Sequence, residues 1–104
     1  MEAALRAIAE PRRRQILTLV RSQELASGEI ASHFDVTGPA ISQHLTVLKT
    51  AGLVSERRDG TRRLYRARPE GLASLRLFLD GLWGDWLDNL KSAAELEELQ
   101  HLGS

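Results

Sequence analysis

The sequence contains no cysteine. Disulfides, thiol catalysis and cysteine-ligated metal sites are therefore excluded, and the composition suits a reducing compartment. Net charge is also missing, because 14 basic and 14 acidic side chains cancel. No run approaches the ~20 apolar residues of a membrane span. The start, MEAALRAIAEPRRR, lacks the charged-then-apolar order of a signal peptide. A cytoplasmic chain with no membrane partner is expected. Repeats and low-complexity segments are absent, as are a nucleophile–base pair, a glycine-rich phosphate loop and a ligand cluster. This reads as a non-enzyme with no cofactor and no metal. What remains is 104 residues, 42% hydrophobic and 27% charged, the mixture of one soluble domain over residues 1–104. Its core must be modest, so association would add stability.

The zero net charge hides an asymmetry. Residues 1–68 carry 12 Arg and Lys against 7 Asp and Glu, whereas residues 69–104 carry 2 against 7. A local field of +5 matters more to a polyanionic partner than the cancelled sum. A chance distribution of solvated charges is the plainer alternative.

Helical patterning dominates. A short helix is expected over Ala3–Ala9, and a second from Pro11, whose missing N–H costs nothing in a first turn. Ile16, Leu17, Leu19 and Val20 form its buried side. Gln23–Ala26 reads as a linker, and Ser27 as the N-cap of a third helix through GEIASHF, with Glu29 near its positive end. Thr37 caps the next, GPAISQHLTVLKTA, which Gly52 closes. Ile41, Leu45 and Leu48 fall within about 60° of one another on a helical wheel and predict a buried stripe. Pro39, Gln43, Thr46 and Thr50 lie opposite, with Ser42 and Lys49 flanking.

Leu53–Arg58 and Thr61–Ala67 then read as strands joined by an Asp59-Gly60 turn. Arg57, Arg58, Arg62, Arg63, Arg66 and Arg68 crowd this hairpin. From Pro69 a helical pattern continues to about Leu99. Leu72, Leu75, Leu79, Leu82, Trp86, Leu90, Ala93 and Leu96 recur every three or four residues, and Phe78, Trp83 and Leu87 widen the surface. A helix of ~28 residues spans ~42 Å, more than the preceding 68 residues can cover. Gly81 and Gly84 either permit close helix approach or mark a kink.

Two short helices joined by a three-to-four-residue turn, the second bearing small polar residues outward, predict a helix-turn-helix. Small side chains allow such a helix into a major groove about 12 Å wide, where Gln43 suits the edge of adenine and Ser42 several bases or a phosphate. A helical hairpin with a solvated polar face is the plain alternative. The basic hairpin argues against it, because a β-ribbon of arginines can straddle a phosphate backbone or enter a minor groove. The predicted fold is mainly α with a two-stranded wing. The expected partner is double-stranded DNA, contacted by Thr37, Pro39, Ala40, Ser42, Gln43, Thr46, Arg57, Arg58, Arg62 and Arg63. Residues 11–68 form the expected DNA-binding core and 69–100 a dimerisation helix. His44, at the margin of the buried stripe, is expected to pack or bond between helices rather than meet a base. Trp83 and Trp86 read as core or interface, with an effector pocket as the rival.

The run PRRRQILTLV…GEIASHFDVTGPAISQHLTVLKTAGLVSERRDGTRRLYRA resembles the arsenic-repressor (ArsR/SmtB) family over roughly residues 4–98. The resemblance implies a homodimer joined by helices from both chain ends, repressing at imperfect palindromes. It places Ser42 and Gln43 at the family's DNA-reading positions and the arginines around Asp59-Gly60 in its wing. One departure is clear. Family metal sensors often carry E-L-C-x-C-D-L where this chain has Glu24-Leu25-Ala26-Ser27-Gly28-Glu29-Ile30, with Ala26 and Gly28 in the thiolate positions. A second family site uses Asp and His on the last helix. Asp80, Asp85 and Asp88 are present there, but the only histidine is His101, and carboxylates alone suit harder ions. A repressor without metal sensing is expected. A metal- or ligand-responsive switch with its site on the last helix, and a protein-interaction module, are the rivals.

Overall fold

Glu10 separates the first two helices. The proline that follows disfavours helical backbone at this residue, and Glu10 is extended (φ −94°, ψ 124°). It ends α1 (Glu2–Ala9) and caps α2 (Pro11–Val20), its carboxylate accepting the Arg13 N–H at 3.1 Å. The computed structural model describes the backbone of residues 1–102 and the side-chain burial of residues 1–97. Five further elements complete the domain: β1 (Leu25–Ala26), α3 (Ser27–Ala31), α4 (Gly38–Thr50) and the hairpin strands β2 (Val54–Asp59) and β3 (Arg62–Ala67). The chain then enters α5 (Pro69–Leu102).

The core forms where the periodicity places it. Ile41, Leu45 and Leu48 of α4 are buried with Ile16 and Val20 of α2, Ile30 of α3, and Leu53, Val54, Tyr65 and Leu75. Leu17 and Leu19 are only partly buried against that cluster. Thr37 caps α4, its hydroxyl accepting the Ala40 N–H at 3.3 Å. The other end closes in a Schellman motif. Gly52 adopts φ +77° and donates to the Lys49 carbonyl, and Leu53 donates to the Leu48 carbonyl, each at 3.0 Å. The first turn of α5 packs on that motif so tightly that a Cβ on Gly71 would lie 2.0 Å from the Gly52 carbonyl oxygen.

Three local expectations are corrected. Ser27 is the first helical residue rather than the cap; the cap is Ala26, whose N–H is held by the Glu29 carboxylate at 3.0 Å. α3 stops at Ala31, not Phe34. Its end tightens into i→i+3 bonds from His33 to Ile30 and from Phe34 to Ala31, while the Ser32 hydroxyl takes the Glu29 carbonyl at 2.6 Å. The connection to α4 therefore runs over Ser32–Thr37, longer than a three-to-four-residue turn. His33 lies in it rather than in a helix.

The wing also differs in detail. Leu25 and Ala26, expected in a linker, pair with Tyr65 and Leu64, so the hairpin becomes a three-stranded antiparallel sheet in the order β1-β3-β2. Asp59 pairs with Arg62, which moves the two-residue turn to Gly60-Thr61. Only Gly60 has positive φ (+65°), the pattern of a type II′ turn.

α5 sets the shape. Its 34 residues span ~51 Å, and among the described residues only its first two turns pack on the domain, where Leu75 is buried and Leu72 partly so. The radius of gyration is 19.7 Å, against about 13 Å for a globular chain of this length. The helix continues through Gly81 and Gly84, and among the described residues nothing beyond the adjoining helix itself lies within 4 Å of a Cβ built on either. Leu77, Leu82, Trp83, Trp86, Leu90 and Leu96 are each more than half exposed. Among the described residues, no helix is long and apolar enough to cross a membrane.

Candidate nucleic-acid interface

α4 presents one polar face. Burying Ile41, Leu45 and Leu48 turns Pro39, Ser42, Gln43 and Thr46 outward, and all four are exposed. Ala40 is half-buried. Thr37 is exposed, but its hydroxyl oxygen is engaged as the helix cap. The Thr46 hydroxyl donates to the Ser42 carbonyl at 3.0 Å, which fixes its rotamer and leaves an oxygen lone pair free to accept. Along Pro39–Thr46 the face carries no Asp, Glu, Lys or Arg, and at its edge lies the half-buried His44. Its Nδ1 lies 3.2 Å from Nη1 of Arg13 on α2. This is an inter-helix bond, the role expected of His44.

The wing is fastened to α4 by a second polar contact. Lys49 Nζ lies 3.4 Å from Glu56 Oε2, which also accepts the Tyr65 hydroxyl at 3.0 Å. The Tyr65 hydrogen bond, helped by the Lys49 charge, holds the Glu56 carboxyl below the usual carboxylate range despite partial burial. Burial, and then the same bond, push the Tyr65 phenol up.

The four wing arginines singled out in the sequence fall on two faces. Side chains alternate along a strand and opposite residues share a face. Arg58 and Arg63 are cross-strand partners on the face that carries Glu56 and Tyr65, hence on the side toward Lys49 of α4. Arg57 and Arg62 point the other way, and each has a carboxylate. Arg57 forks onto Glu24 at 2.5 and 3.1 Å, and Arg62 meets Glu29 at 2.6 Å. The Arg57 hydrogen bonds hold the Glu24 carboxyl below its ordinary value, and the same partner raises Arg57. Two of the four guanidinium charges are thus locally neutralised, and among the described residues Arg58 and Arg63 form no salt bridge. Sequence reasoning missed these pairings and the Arg13–His44 bond. The only signal for the first was a pair of acids, Glu24 just before α3 and Glu29 in its first turn.

Residues 10–56 match the family model described as bacterial regulatory protein, arsR family. The transcriptional regulator Rv2034 of Mycobacterium tuberculosis is 49% identical over 82 residues, spanning 79% of this chain and 77% of that protein. The chain belongs to the ArsR family of bacterial regulators. The transcriptional repressor SdpR of Bacillus subtilis is 42% identical over 60 residues, 58% of this chain and 67% of the repressor. Among solved structures, the homodimeric winged helix-turn-helix DNA-binding domain of Mb0332 from Mycobacterium bovis, a possible ArsR-family regulator, matches with a TM-score of 0.65 at 34% identity. That match covers 81% of this chain and 78% of the domain. This ArsR-family chain is a transcriptional regulator and not an enzyme.

The donor set does not fit the family's thiolate site. Ala26 is a buried strand residue and Gly28 has no side chain, so neither can ligate. On α5, Asp80 lies 3.5 Å from Arg76, while Asp85 and Asp88 are exposed. The side chain of His101 lies outside the described residues. Among the described residues, no three His, Asp or Glu side chains gather into a cation site.

Proposed function

We propose that this ArsR-family regulator is a cytoplasmic homodimeric repressor that reads a palindromic operator in double-stranded DNA. The observation that carries this reading is the outward face of α4, small and polar at Pro39, Ser42, Gln43 and Thr46, beside a wing whose Arg58 and Arg63 form no salt bridge among the described residues. Ser42 and Gln43 are the base-reading residues, with Thr46 and Pro39 lining the same groove. Thr37 and Ala40 bring the N-terminus of α4 to the backbone. Arg58 and Arg63 contact phosphates or the minor groove, and Arg57 and Arg62 contribute more weakly because their charges are already paired.

Dimerisation is supported by the apolar stripe along α5. Residues 69–100, with α1, form the dimer interface in this reading, and residues 11–68 the DNA-binding core. Fully burying each large apolar side chain is worth ~1.5–3 kcal/mol, so a lone chain with Leu79, Leu82, Trp83, Trp86 and Leu90 in water is poorly soluble. A two-fold axis buries the same patch twice and sets two reading helices about 34 Å apart on one face of B-DNA. The homodimeric Mb0332 domain and the repressor SdpR support assembly and direction of control. Regulation is metal-independent, because Ala26 and Gly28 replace the thiolates. Selection of bound duplexes from a random pool tests the reading and should enrich a palindrome. Stoichiometric zinc or chelator should leave its affinity within twofold; a tenfold change would return the metal-sensing reading.

A further inference from the structure

The PRRR run of α2 does something that neither the groove nor the wing explains. α1 ends at Ala9, so the carbonyls of Arg6, Ala7, Ile8 and Ala9 have no partners within the helix. Two arginines from the next helix take three of them. Arg13 Nε donates to the Ala7 carbonyl at 2.6 Å and Nη2 to the Arg6 carbonyl at 3.1 Å. Arg14 Nη1 donates to the Ile8 carbonyl at 2.6 Å. These are charge-assisted bonds at the negative end of a helix dipole. Arg13 goes further, because its remaining terminal nitrogen reaches His44 on α4 at 3.2 Å. One planar group thus joins the last turn of α1, the first turns of α2 and the middle of the polar-faced helix.

We propose that Arg13 is a positioning residue for DNA reading: it sets the rotation of α4, and so the aim of Ser42 and Gln43, by clamping His44 to the end of α1. The proposal rests on α4 being the reading helix. His44 immediately follows Gln43, and Arg13, Ser42, Gln43, His44 and Thr46 line one open cleft. Because a guanidinium only donates, His44 Nδ1 must be the acceptor and the imidazole proton must sit on Nε2. Lysine cannot replace this arrangement, since a single ammonium on a flexible stem lacks the planar fork that meets acceptors on two helices at once. Arg13 makes α1 part of the reading apparatus without touching a base.

The test uses the duplex selected by the wild-type protein and a random duplex of equal length. Arg13→Lys should lose about tenfold or more on the selected duplex, the scale of one or two misaligned base contacts. Its random-duplex affinity and salt slope should stay within twofold of wild type, because the charge is kept. His44→Asn, whose amide oxygen can accept, should bind as wild type, while His44→Phe should match Arg13→Lys. The double variant Arg13→Lys/His44→Phe should be no worse than either single change. Nitrogen-15 spectra should show His44 protonated on Nε2 in the wild type, and tautomer exchange in Arg13→Lys. Equal losses on both duplexes, wild-type binding by Arg13→Lys, additive double-variant losses, or a wild-type Nδ1–H tautomer would each overturn the proposal. A wild-type chain that enriches no sequence overturns the reading-helix assignment itself, an outcome visible before any variant is made.

Discussion

Arg58 and Arg63 face each other across the wing hairpin as cross-strand partners, with no salt bridge to either among the described residues. Like charges directly opposite cost on the order of 0.2–1 kcal/mol in a sheet, and a neighbouring polyanion would relieve that cost. The double variant Arg58→Ala/Arg63→Ala should therefore fold at least as well as wild type by thermal melting. It should also lower the slope of log K against log salt by about 1.8, two phosphate contacts at ~0.9 each. Arg57→Ala/Arg62→Ala should change the slope less, because Glu24 and Glu29 already neutralise those side chains. Equal slopes for both variants would mean that the two faces of the wing are not distinguished by DNA.

Gln43 is exposed one turn into α4, opposite the buried stripe. Gln43→Ala should relax base preference at one or two positions per half-site, at ~1–3 kcal/mol each. Its melting temperature should stay within a degree or two of wild type. Competition between selected and single-base-changed duplexes is the measurement. A uniform loss across all sequences would reduce Gln43 to a backbone contact.

Trp83 and Trp86 stack on the exposed side of α5, with ring centroids 5.0 Å apart. In a two-fold interface they are buried, so Trp86→Asp should place an unpaired charge there and yield monomers in sedimentation at micromolar concentration. Specific DNA binding should fall with it, although every proposed DNA contact remains. A variant that sediments as a dimer and binds normally would move the interface elsewhere.

The Glu56 link between wing and α4 predicts a pH dependence. The folded pKa of Glu56 is lowered by the Tyr65 hydroxyl and Lys49, so the folded state prefers the carboxylate. That stabilisation is present above the ordinary carboxylate pKa and is lost as pH falls through the lowered folded value. The stability gap between wild type and Glu56→Gln should therefore be constant near neutrality and narrow in acid. Thermal melts from pH 7 down to about pH 3 measure it. A gap that widens on acidification would contradict the contact.

Much of this was readable from local chemistry. The stripe of Ile41, Leu45 and Leu48, the Thr37 cap and the Gly52 stop fixed α4 and its polar face, because helical period and capping are properties of neighbouring residues. The misreadings share another cause. Leu25-Ala26 is too short to show alternation and is a strand only because β3 lies beside it. The turn moved to Gly60-Thr61 because register follows the pairing of Asp59 with Arg62, whereas the Asp-Gly dipeptide suggested otherwise. The two faces of the arginine hairpin depend on Glu24 and Glu29, which stand far back in the sequence. Arg13 reads as one more surface charge until α1 and α4 are set beside it.

The most direct measurement of the central claim is hydroxyl-radical footprinting of the full chain on its selected duplex, with protein stoichiometry determined in parallel. The account predicts two protein chains per duplex and two equivalent protected half-sites, centred about 10–10.5 base pairs apart or a multiple of that, related by the symmetry of the sequence. A single asymmetric footprint from one chain, or protection with no sequence preference, would contradict it.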